Sequence, residues 1–550
     1  MAQKQKVILN SAHNKIIGEH MNYIFLFLLI SNIAKAQETL KLPPPSVREQ
    51  MFRQVVSEIN RLDGEGLIPR VNRPETWQIT TDKLAVEAKN ANTTFDFGIV
   101  FKKLDATYPN LHAKIYLHKA LDAASSEGSI KFNFLLRPDL KSNSQESYRY
   151  YIKIKKDVES DFKNGDEAIA INGVSIEDLQ KQNFVFCKFP LFSQCANELF
   201  DNIRHERLNW NRRQPLEFTV LRDNTEFTIK PKFEVALKSN SQNEPEATCE
   251  DQKARYKNFD LDFKGYNLCA YRSVQHPKIL VLRIKSFVYG QGDPIGDLPT
   301  EVDLFWTNYW RKNSAEFKTI IFDVIENTGG QSPIPYYALF AQKPYQEQFA
   351  QFKKIKEFER KDIFESLFWG DKAKEIWFEN IKKDGTFAKI NEGEFFPPVP
   401  QFCADQNKDC REGLFPPKKH KFNGNIKILL NSWCISSCVG FVDNMAKLFK
   451  GKVKIYGHPD SGDSAYSRAT VAASFENNKV KVDVIPQKKA KKPDSPEPWI
   501  RQVVSVTRST DSDSNIISGK VQKVDFWVPR AWSQSDDEWP AAVFEKALKF

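Results

Sequence analysis

The segment NIKILLNSWCISSCVGFVDNM, residues 425–445, decides the fold of the C-terminal half of this chain. Its first part is a short apolar run typical of a buried strand, and its last part spaces apolar residues as an amphipathic helix does. Ser436 and Ser437 lie at the junction. A small hydroxyl residue on a sharp strand-to-helix turn suits nucleophilic acyl chemistry, because helix-terminal N–H groups point at a developing oxyanion. Serines at helix starts also act as N-caps, so this segment alone leaves both interpretations open.

Three more segments have the apolar pattern of buried strands. They are KILVLRIKSF (278–287), KTIIFDVIENTGG (318–330) and KVKIYGH (452–458). Continuous apolar strands separated by helical stretches predict an α/β core with mostly parallel strands, which we assign to residues 237–550. A charged, aromatic, proline-containing region at 343–424 interrupts the pattern, and we expect it to be a helical insertion.

The segment GDEAIAINGVSIEDL, residues 165–179, has shorter apolar runs and denser turn signals than this core. Gly165-Asp166 and Asn172-Gly173 are turn pairs on either side of a strand, and a short helix should follow the second turn. The segment resembles the GDxIxxINGxxV pattern of PDZ domains. We therefore predict a PDZ-like domain at 126–236 with an insertion at 182–214, and an unrelated small β domain is the alternative.

The N-terminal part of the chain combines an export signal with a helical region. Residues 23–33 (YIFLFLLISNI) form an apolar run too short to span a bilayer comfortably, and 34–36 (AKA) have the small-x-small pattern of signal peptidase sites. The sequence therefore predicts a signal peptide at 1–36 and a periplasmic or secreted mature protein without a stable membrane span. Helical periodicity follows, and we assign residues 37–125 to an N-terminal helical region.

All eight cysteines lie after this signal, and an even number in an exported chain indicates disulfides. They fall into close pairs, and we expect each cysteine to bond its nearest neighbour in sequence. The expected pairs are Cys187 with Cys195, Cys249 with Cys269, Cys403 with Cys410, and Cys434 with Cys438. Zinc binding is the weaker alternative, because no CxxC pair occurs and the histidines do not cluster with the cysteines.

The net charge of +10 could favour an anionic partner such as nucleic acid or a membrane surface. The basic residues are spread along the chain, however, and the dense cluster at 488–492 lies beside prolines, which is typical of a solvated loop. Nucleic-acid binding is therefore not expected. No HExxH, P-loop or GxGxxG motif occurs in a suitable context, so we predict no metal and no nucleotide cofactor.

The strand predicted at 319–324 runs directly into Asn327, Gly329 and Gly330. Adjacent glycines let bare backbone N–H groups approach a ligand, as an oxyanion hole requires. An ordinary glycine turn would have the same sequence, so this motif needs the others to support it.

Together these segments resemble the serine peptidase family of the C-terminal processing proteases and the tricorn core. That family has a helical segment, a PDZ-like domain and an α/β core of the crotonase-like ββα type, in this order. Its motifs are a DLRGNxGG strand-turn, an NxxxSxSxSE nucleophile segment and a GxPxxG loop. This chain matches the strand-turn motif in Asp323, Asn327, Gly329 and Gly330. Residues 431–439 correspond to the nucleophile segment, and GHPDSG at 457–462 corresponds to the loop. The resemblance implies a serine endopeptidase that works through an acyl-enzyme.

The resemblance also implies roles for single residues. Ser436 aligns with the nucleophile, and Ser437 is the alternative. Gly329, Gly330 and Ser437 align with the backbone donors of the oxyanion hole. Val439 stands where the family usually has an acidic residue.

The general base distinguishes the branches of this family. Bacterial members carry a lysine after the GxPxxG loop begins, but here Asp463 and Ser464 stand in that region. The tricorn branch uses a histidine before its PDZ-like domain, and YPNLHAKI places His112 there, with Leu111 in place of the usual serine. A neutral imidazole is a suitable base at neutral pH. Asp525, in VQKVDFWVPR, is the nearest match to that branch's orienting acid.

We therefore expect an exported serine endopeptidase that cleaves polypeptides and binds extended or C-terminal segments through strand addition to its PDZ-like domain. His458 and Asp460 are alternatives for the base and the acid. The alternative function is a catalytically inactive, peptide-binding scaffold of the cell envelope, because Val439, Leu111 and the missing lysine depart from the family pattern.

Overall fold

The computed structural model divides the chain into two compact units, Met1–Pro43 and Pro44–Phe550, and nearly all described residues belong to the second. The structure describes residues 41–64, 76–108, 110–118, 121, 129–142, 148–155, 160–204, 216–231, 233–236, 248–289, 297–341, 345–346, 349–368, 372–400, 414–415, 422–462, 468–486, 498–511, 515–517 and 519–549. None of the helices in these ranges is long and apolar enough to cross a membrane.

Several predictions from the sequence concern residues outside these ranges. They are the signal peptide at 1–36, the pair Cys403 and Cys410, the basic cluster at 488–492 and the segment 463–464.

Helices occur in all parts of the described chain. The α-helices are α1 (Pro45–Leu62), α2 (Trp77–Asn90), α3 (Thr94–Thr107), α4 (Ile176–Phe184), α5 (Phe192–Arg204), α6 (Leu298–Phe305), α7 (Arg311–Asn313), α8 (Ile334–Phe340), α9 (Lys361–Phe368), α10 (Lys372–Lys383), α11 (Thr386–Lys389), α12 (Ser437–Leu448) and α13 (Glu538–Lys549).

The strands are mostly short. In the N-terminal half they are β1 (Ile115–Leu117), β2 (Ser129–Phe132), β3 (Phe134–Pro138), β4 (Tyr150–Ile154), β5 (Glu167–Ile171), β6 (Val174–Ser175), β7 (Phe218–Arg222), β8 (Thr225–Ile229), β9 (Phe233–Ala236), β10 (Asp260–Lys264), β11 (Leu268–Arg272) and β12 (Ile279–Ile284). In the C-terminal half they are β13 (Thr319–Asp323), β14 (Tyr345–Gln346), β15 (Phe349–Phe352), β16 (Val399–Pro400), β17 (Leu414–Phe415), β18 (Asn425–Leu430), β19 (Val453–Gly457), β20 (Arg468–Glu476), β21 (Lys479–Ile485), β22 (Ile500–Ser505), β23 (Thr507–Thr510) and β24 (Phe526–Trp527).

A seven-stranded sheet of the described residues forms the centre of the α/β core, in the order β10-β11-β12-β13-β18-β19-β24. Neighbouring strands from β12 to β24 are parallel, and β11 is antiparallel to both of its neighbours. The registers place Ile320 beside Ile426 and Ile428 beside Ile455. The four strands predicted from continuous apolar runs are therefore confirmed as β12, β13, β18 and β19.

Both faces of this sheet are buried, which explains why its strands are apolar along most of their length. On one face α6, α8 and α12 pack against the strands, and the ring centroids of Phe322 and Phe441 are 5.3 Å apart. On the other face α13 supplies Trp539 and Phe544 to a second buried cluster. The start of α12, where Ser436 lies, is therefore held by the main core.

A second, antiparallel sheet lies within 126–236, in the order β3-β4-β5-β7-β8 with β6 paired to β5. Asn172 and Gly173 have φ values of 50° and 76°, as a tight turn between β5 and β6 requires. Ser175 accepts a hydrogen bond from the Asp178 N–H at 3.1 Å and so caps α4. The predicted order of strand, turn and short helix is confirmed, and the assignment of this region as a PDZ-like domain stays a prediction.

The predicted helical insertion at 343–424 contains strands as well as α9 to α11. Within it β15 pairs with β16, and it also pairs with β23 from the C-terminal part of the chain. The insertion is therefore part of a sheet rather than only helical, because the segment 349–352 is buried and pairs with a strand on either side. In the N-terminal region α1 to α3 lead to β1, which joins a separate sheet beside β22.

Three disulfides are present among the described residues, and they follow the nearest-neighbour pairing expected from the sequence. The bonded pairs are Cys187 with Cys195, Cys249 with Cys269, and Cys434 with Cys438. Since these thiols are covalently paired, they are not available as zinc ligands.

Truncation of a central strand residue tests this description of the core. Ile428 is fully buried in β18 between two parallel neighbours, so Ile428→Ala should lower the free energy of unfolding by about 2–5 kcal/mol. Ile376 is 40% exposed on α10, and Ile376→Ala should cost about 1 kcal/mol or less. Urea unfolding followed by tryptophan fluorescence compares the two variants, and equal losses would contradict the central position of β18.

Candidate active site

Ser436 lies at the junction between β18 and α12 in an unusual backbone conformation. Its φ is 63° and its ψ is −127°, values that a residue with a side chain keeps only where the surrounding structure imposes them. The side chain is buried and makes no capping hydrogen bond to α12, so the N-cap interpretation does not account for it. The serine lies at a helix N-terminus, where the first N–H groups have no partner inside the helix.

A disulfide encloses this turn. Cys434 and Cys438 are both fully buried, and their Cα atoms are 5.2 Å apart on either side of Ser436. The N–H of Cys434 also donates to the carbonyl of Asn431 at 2.9 Å. A covalent ring of this size removes many alternative conformations from the turn.

The side chain of Asn431 connects the serine turn to the turn that follows β13. Its Oδ1 accepts hydrogen bonds from the N–H of Trp433 at 3.2 Å and from the N–H of Glu326 at 2.9 Å. Glu326 has a φ of 68°, so the second turn is also held in a left-handed conformation. In the sequence, Asn431 is recognisable only as the first position of a motif. Its link to Glu326 cannot be read there, because the two residues lie far apart in the chain.

Gly329 and Gly330 lie directly against the serine turn. A Cβ on Gly329 would be 2.6 Å from the carbonyl oxygen of Ile435 and 2.8 Å from the Cβ of Ser436, so only glycine fits there. The Ser437 Oγ donates to the Gly330 carbonyl at 2.9 Å. The structure therefore brings together the glycine turn and the serine turn that were identified separately in the sequence.

The N–H groups of these residues are not equivalent. The N–H of Gly329 donates to Asn327 Oδ1 at 2.9 Å and is therefore already engaged. This contact differs from the prediction that the N–H groups of both glycines bind an oxyanion. Among the described residues, the N–H groups of Gly330 and Ser437 donate no hydrogen bond. These two groups are the candidate oxyanion donors.

His112 lies in the turn between α3 and β1. Its N–H donates to Asn110 Oδ1 at 2.7 Å, and Arg468 donates to its carbonyl at 2.9 Å. Burial, and then the positive charges of Arg468, Lys114 and Lys188, lower the pKa of the imidazole to about 3. The ring is therefore neutral at physiological pH, which is the form that a general base requires.

Asp525 does not take the position expected of an orienting acid. Its Oδ2 accepts from the N–H of Ile455 at 2.8 Å, and its Oδ1 is 3.6 Å from the Nζ of Lys454. This carboxylate satisfies the backbone of β19, because β24 lies next to that strand at the edge of the sheet. The predicted role of Asp525 beside His112 is thus not supported by its contacts.

His458 is a buried residue packed between two tryptophan rings. Its Nε2 lies 2.8 Å from the carbonyl oxygen of Val528, and its ring centroid is 4.2 Å from that of Trp527 and 4.5 Å from that of Trp539. Burial lowers its pKa to about 3, although the hydrogen bond to Val528 acts in the opposite direction. Its Nε2 is therefore engaged with the backbone, and the alternative of His458 as the base stays a prediction.

Asp460 organises the loop after β19. Its Oδ1 accepts from the N–H of Gly462 at 3.0 Å and of Gln522 at 2.9 Å, and burial raises the pKa of its carboxyl to about 7. The next residue, Ser461, donates its N–H to the Cys434 carbonyl at 3.2 Å. The loop therefore packs against the serine turn, and the Asp460 carboxylate holds the backbone of this loop through the two hydrogen bonds.

These features together define a class of site. A serine on a strained strand-to-helix turn, beside two backbone N–H groups that donate no hydrogen bond within the described ranges, is an arrangement suited to acyl transfer. Neither a protein-family model nor a curated protein sequence matches the chain.

Solved structures of CPAF resemble this chain over nearly its full length. A CPAF serine-to-alanine mutant aligns with a TM-score of 0.58 and 12% identity, over 92% of this chain and 97% of that chain. Mature CPAF complexed with lactacystin aligns with a TM-score of 0.56 and 12% identity, over the same shares of the two chains. The chain therefore has the fold of CPAF, and the predicted resemblance to the C-terminal processing proteases is confirmed at the level of the fold.

Removal of the Asn431 carboxamide tests the link between the two turns. Asn431→Ala leaves the N–H groups of Glu326 and Trp433 without their acceptor, so the free energy of unfolding should fall by about 1–3 kcal/mol. Asn423→Ala, at an exposed position, should stay within about 0.5 kcal/mol of the wild type. Hydrogen exchange at Glu326 and Trp433 should accelerate only in the first variant, and unchanged exchange there would refute the link.

Proposed function

We propose that this protein is an exported serine endopeptidase. Ser436 attacks the scissile carbonyl, His112 accepts its proton, and the N–H groups of Gly330 and Ser437 bind the oxyanion. The observation that carries the proposal is the strained Ser436 turn packed against the Gly329 backbone. The disulfides agree with an oxidising compartment outside the cytoplasm.

The chemistry proceeds by acyl transfer. The Ser436 Oγ forms a bond to the carbonyl carbon while its proton moves to the neutral imidazole of His112, and the oxygen of the substrate becomes an oxyanion. The imidazolium then returns the proton to the leaving amine, and water hydrolyses the ester by the same route in reverse. Three cations disfavour the imidazolium before the reaction. The negative charge that develops on the substrate oxygen offsets them and raises the pKa of the imidazole during the step.

Strand addition to the 126–236 sheet is the proposed mode of substrate recognition. β8 is an outer strand of this sheet, and residues 225–228 are exposed along it. The opposite edge is partly covered, because Leu140, just beyond β3, pairs with Arg530 of the same chain. An exposed outer strand can pair with an extended peptide.

A catalytically inactive, peptide-binding scaffold is the second candidate function. It is favoured by the electrostatics of His112, since the described charges that act on the imidazole are all positive and Asp525 is bound to β19 instead. Without an orienting acid a histidine base is less effective.

Labelling with a fluorophosphonate separates the two functions. The wild type should be labelled on Ser436, as identified by mass spectrometry of the modified peptide, and Ser436→Ala should abolish labelling and peptide cleavage. Ser437→Ala keeps the backbone donor and loses only the hydrogen bond to Gly330, so it should label within about tenfold of the wild-type rate. Lactacystin, found in a complex with CPAF, is a second probe. Absence of labelling in the folded wild type would support the scaffold, and modification of Ser437 would reassign the nucleophile.

The pH dependence of labelling tests His112. Because the pKa of the buried imidazole is lowered to about 3, the ring stays deprotonated well below its ordinary value of about 6.5. The labelling rate should therefore remain level as the pH falls through 6.5 and decline only at more acidic pH, with tryptophan fluorescence confirming that the protein is still folded. His112→Ala should lower the plateau by on the order of a hundredfold or more. A transition centred near 6.5 would contradict a buried imidazole, and an unaffected His112→Ala variant would exclude it as the base.

A further inference from the structure

The loop closed by the Cys187–Cys195 disulfide has no role in the mechanism above, yet it contacts both halves of the site. It belongs to the insertion in the 126–236 region, and we call residues 187–195 the cysteine loop. Its base is tied to α4 and to β4, since Asn183 donates to the Cys195 carbonyl at 2.8 Å and the Tyr150 hydroxyl donates to the Ala196 carbonyl at 2.9 Å. The loop is therefore held by both a covalent bond and buried hydrogen bonds.

At one end of the cysteine loop, Lys188 reaches the histidine segment. Its Nζ donates to the carbonyl of Ala113, the residue after His112, at 2.5 Å, and to Asp105 Oδ1 on α3 at 2.9 Å. The side chain of Lys188 is only 15% exposed. An ammonium group that is largely buried needs such partners, because removing them would leave an uncompensated charge.

At the other end, the loop reaches the serine turn. The Nε2 of Gln194, which is 3% exposed, donates to the Asp460 carbonyl at 2.9 Å and to the Ser461 hydroxyl at 3.2 Å. Ser461 in turn donates its N–H to the Cys434 carbonyl at 3.2 Å. The ring of Phe189 also meets the ring of Trp433 edge-on, with centroids 6.1 Å apart.

We propose that the cysteine loop sets the position of His112 relative to Ser436, with Lys188 and Gln194 as positioning residues. This inference rests on the proposed function and deepens it. The histidine and the serine come from segments far apart in sequence, and an acyl-transfer site loses activity when its base is misplaced by even about 1 Å. A loop that is rigid and bonded to both segments fixes that separation.

Lys188 also contributes to the charge around the imidazole. The charged groups that face His112 are Lys114, Arg468 and Lys188, and Asp105 lies behind the Lys188 ammonium. Lys188→Met removes one of the three cations and leaves the Asp105 carboxylate without its ion pair. Both changes favour the protonated imidazole, so they shift the acid limb of the pH profile upwards.

The test measures the rate of fluorophosphonate labelling against pH for four variants of the full chain. Lys188→Met should lower the plateau rate by on the order of ten- to a hundredfold and move the acid limb to higher pH. Lys188→Arg keeps the charge and should restore the wild-type profile. Gln194→Leu removes the uncharged contact to Asp460 and Ser461, so it should lower the plateau rate without moving the acid limb of the pH profile. Lys181→Met, at a position 63% exposed on α4, is the matched control and should change neither quantity.

A readout independent of activity keeps this inference separate from the proposed function. In Ser436→Ala protein, NMR titration of ¹³C-labelled histidine, assigned with a His112→Gln variant, should show a higher pKa for His112 once Lys188→Met is added. An unlabelled wild type would defeat the proposed function and, with it, the positioning role of the loop. A labelled wild type whose Lys188→Met variant keeps its rate, its pH profile and its His112 titration would overturn the positioning role alone. If Lys188→Met lowers the plateau rate without moving the acid limb, and Lys188→Arg does not restore the plateau rate, Lys188 has only a structural role.

Discussion

The parallel pairing of β13 with β18 is the constraint on which the rest of the site depends. Its register puts Asp323 beside Leu429, so the two strands end at the same edge of the sheet. The turns that follow them must therefore meet there, as the carboxyl ends of neighbouring parallel strands do in α/β proteins. Asn431 then joins the two turns through its side chain, and the tight fit of Gly329 against Ser436 leaves no room for a side chain at position 329.

The surroundings of the proposed base, His112, are unusual in their charge. Histidine bases are commonly oriented by a carboxylate, whereas the charged groups that act on the proposed base His112 are basic, and burial is the main cause that keeps its ring neutral. The available carboxylates serve the fold instead. Asp525 satisfies a strand amide of β19, and Asp460 holds the loop that packs on the serine turn. Both of these carboxylates thus serve to fix backbone.

Features that depend on local sequence could be predicted, and features that depend on distant segments could not. The strands of the core follow from continuous apolar runs, and the turn at Asn172-Gly173 follows from the preference of that pair for positive φ. The donation from Gly329 to Asn327 depends on turn geometry that no periodicity reports. The motif around Asp525 has a suitable residue type, but the pairing of β24 with β19 directs that carboxylate elsewhere, and this pairing joins segments about seventy residues apart.

The disulfide around Ser436 has a consequence for where the chain completes its folding. Thiols remain reduced in the cytosol, and they form bonds when a chain reaches an oxidising compartment. In the exported protein proposed above, the ring between Cys434 and Cys438 is therefore absent while the polypeptide is being made and closes after it has left the cytosol. Before that bond closes, only non-covalent contacts can fix the serine turn, so in the exported protein its final constraint comes from the oxidising compartment.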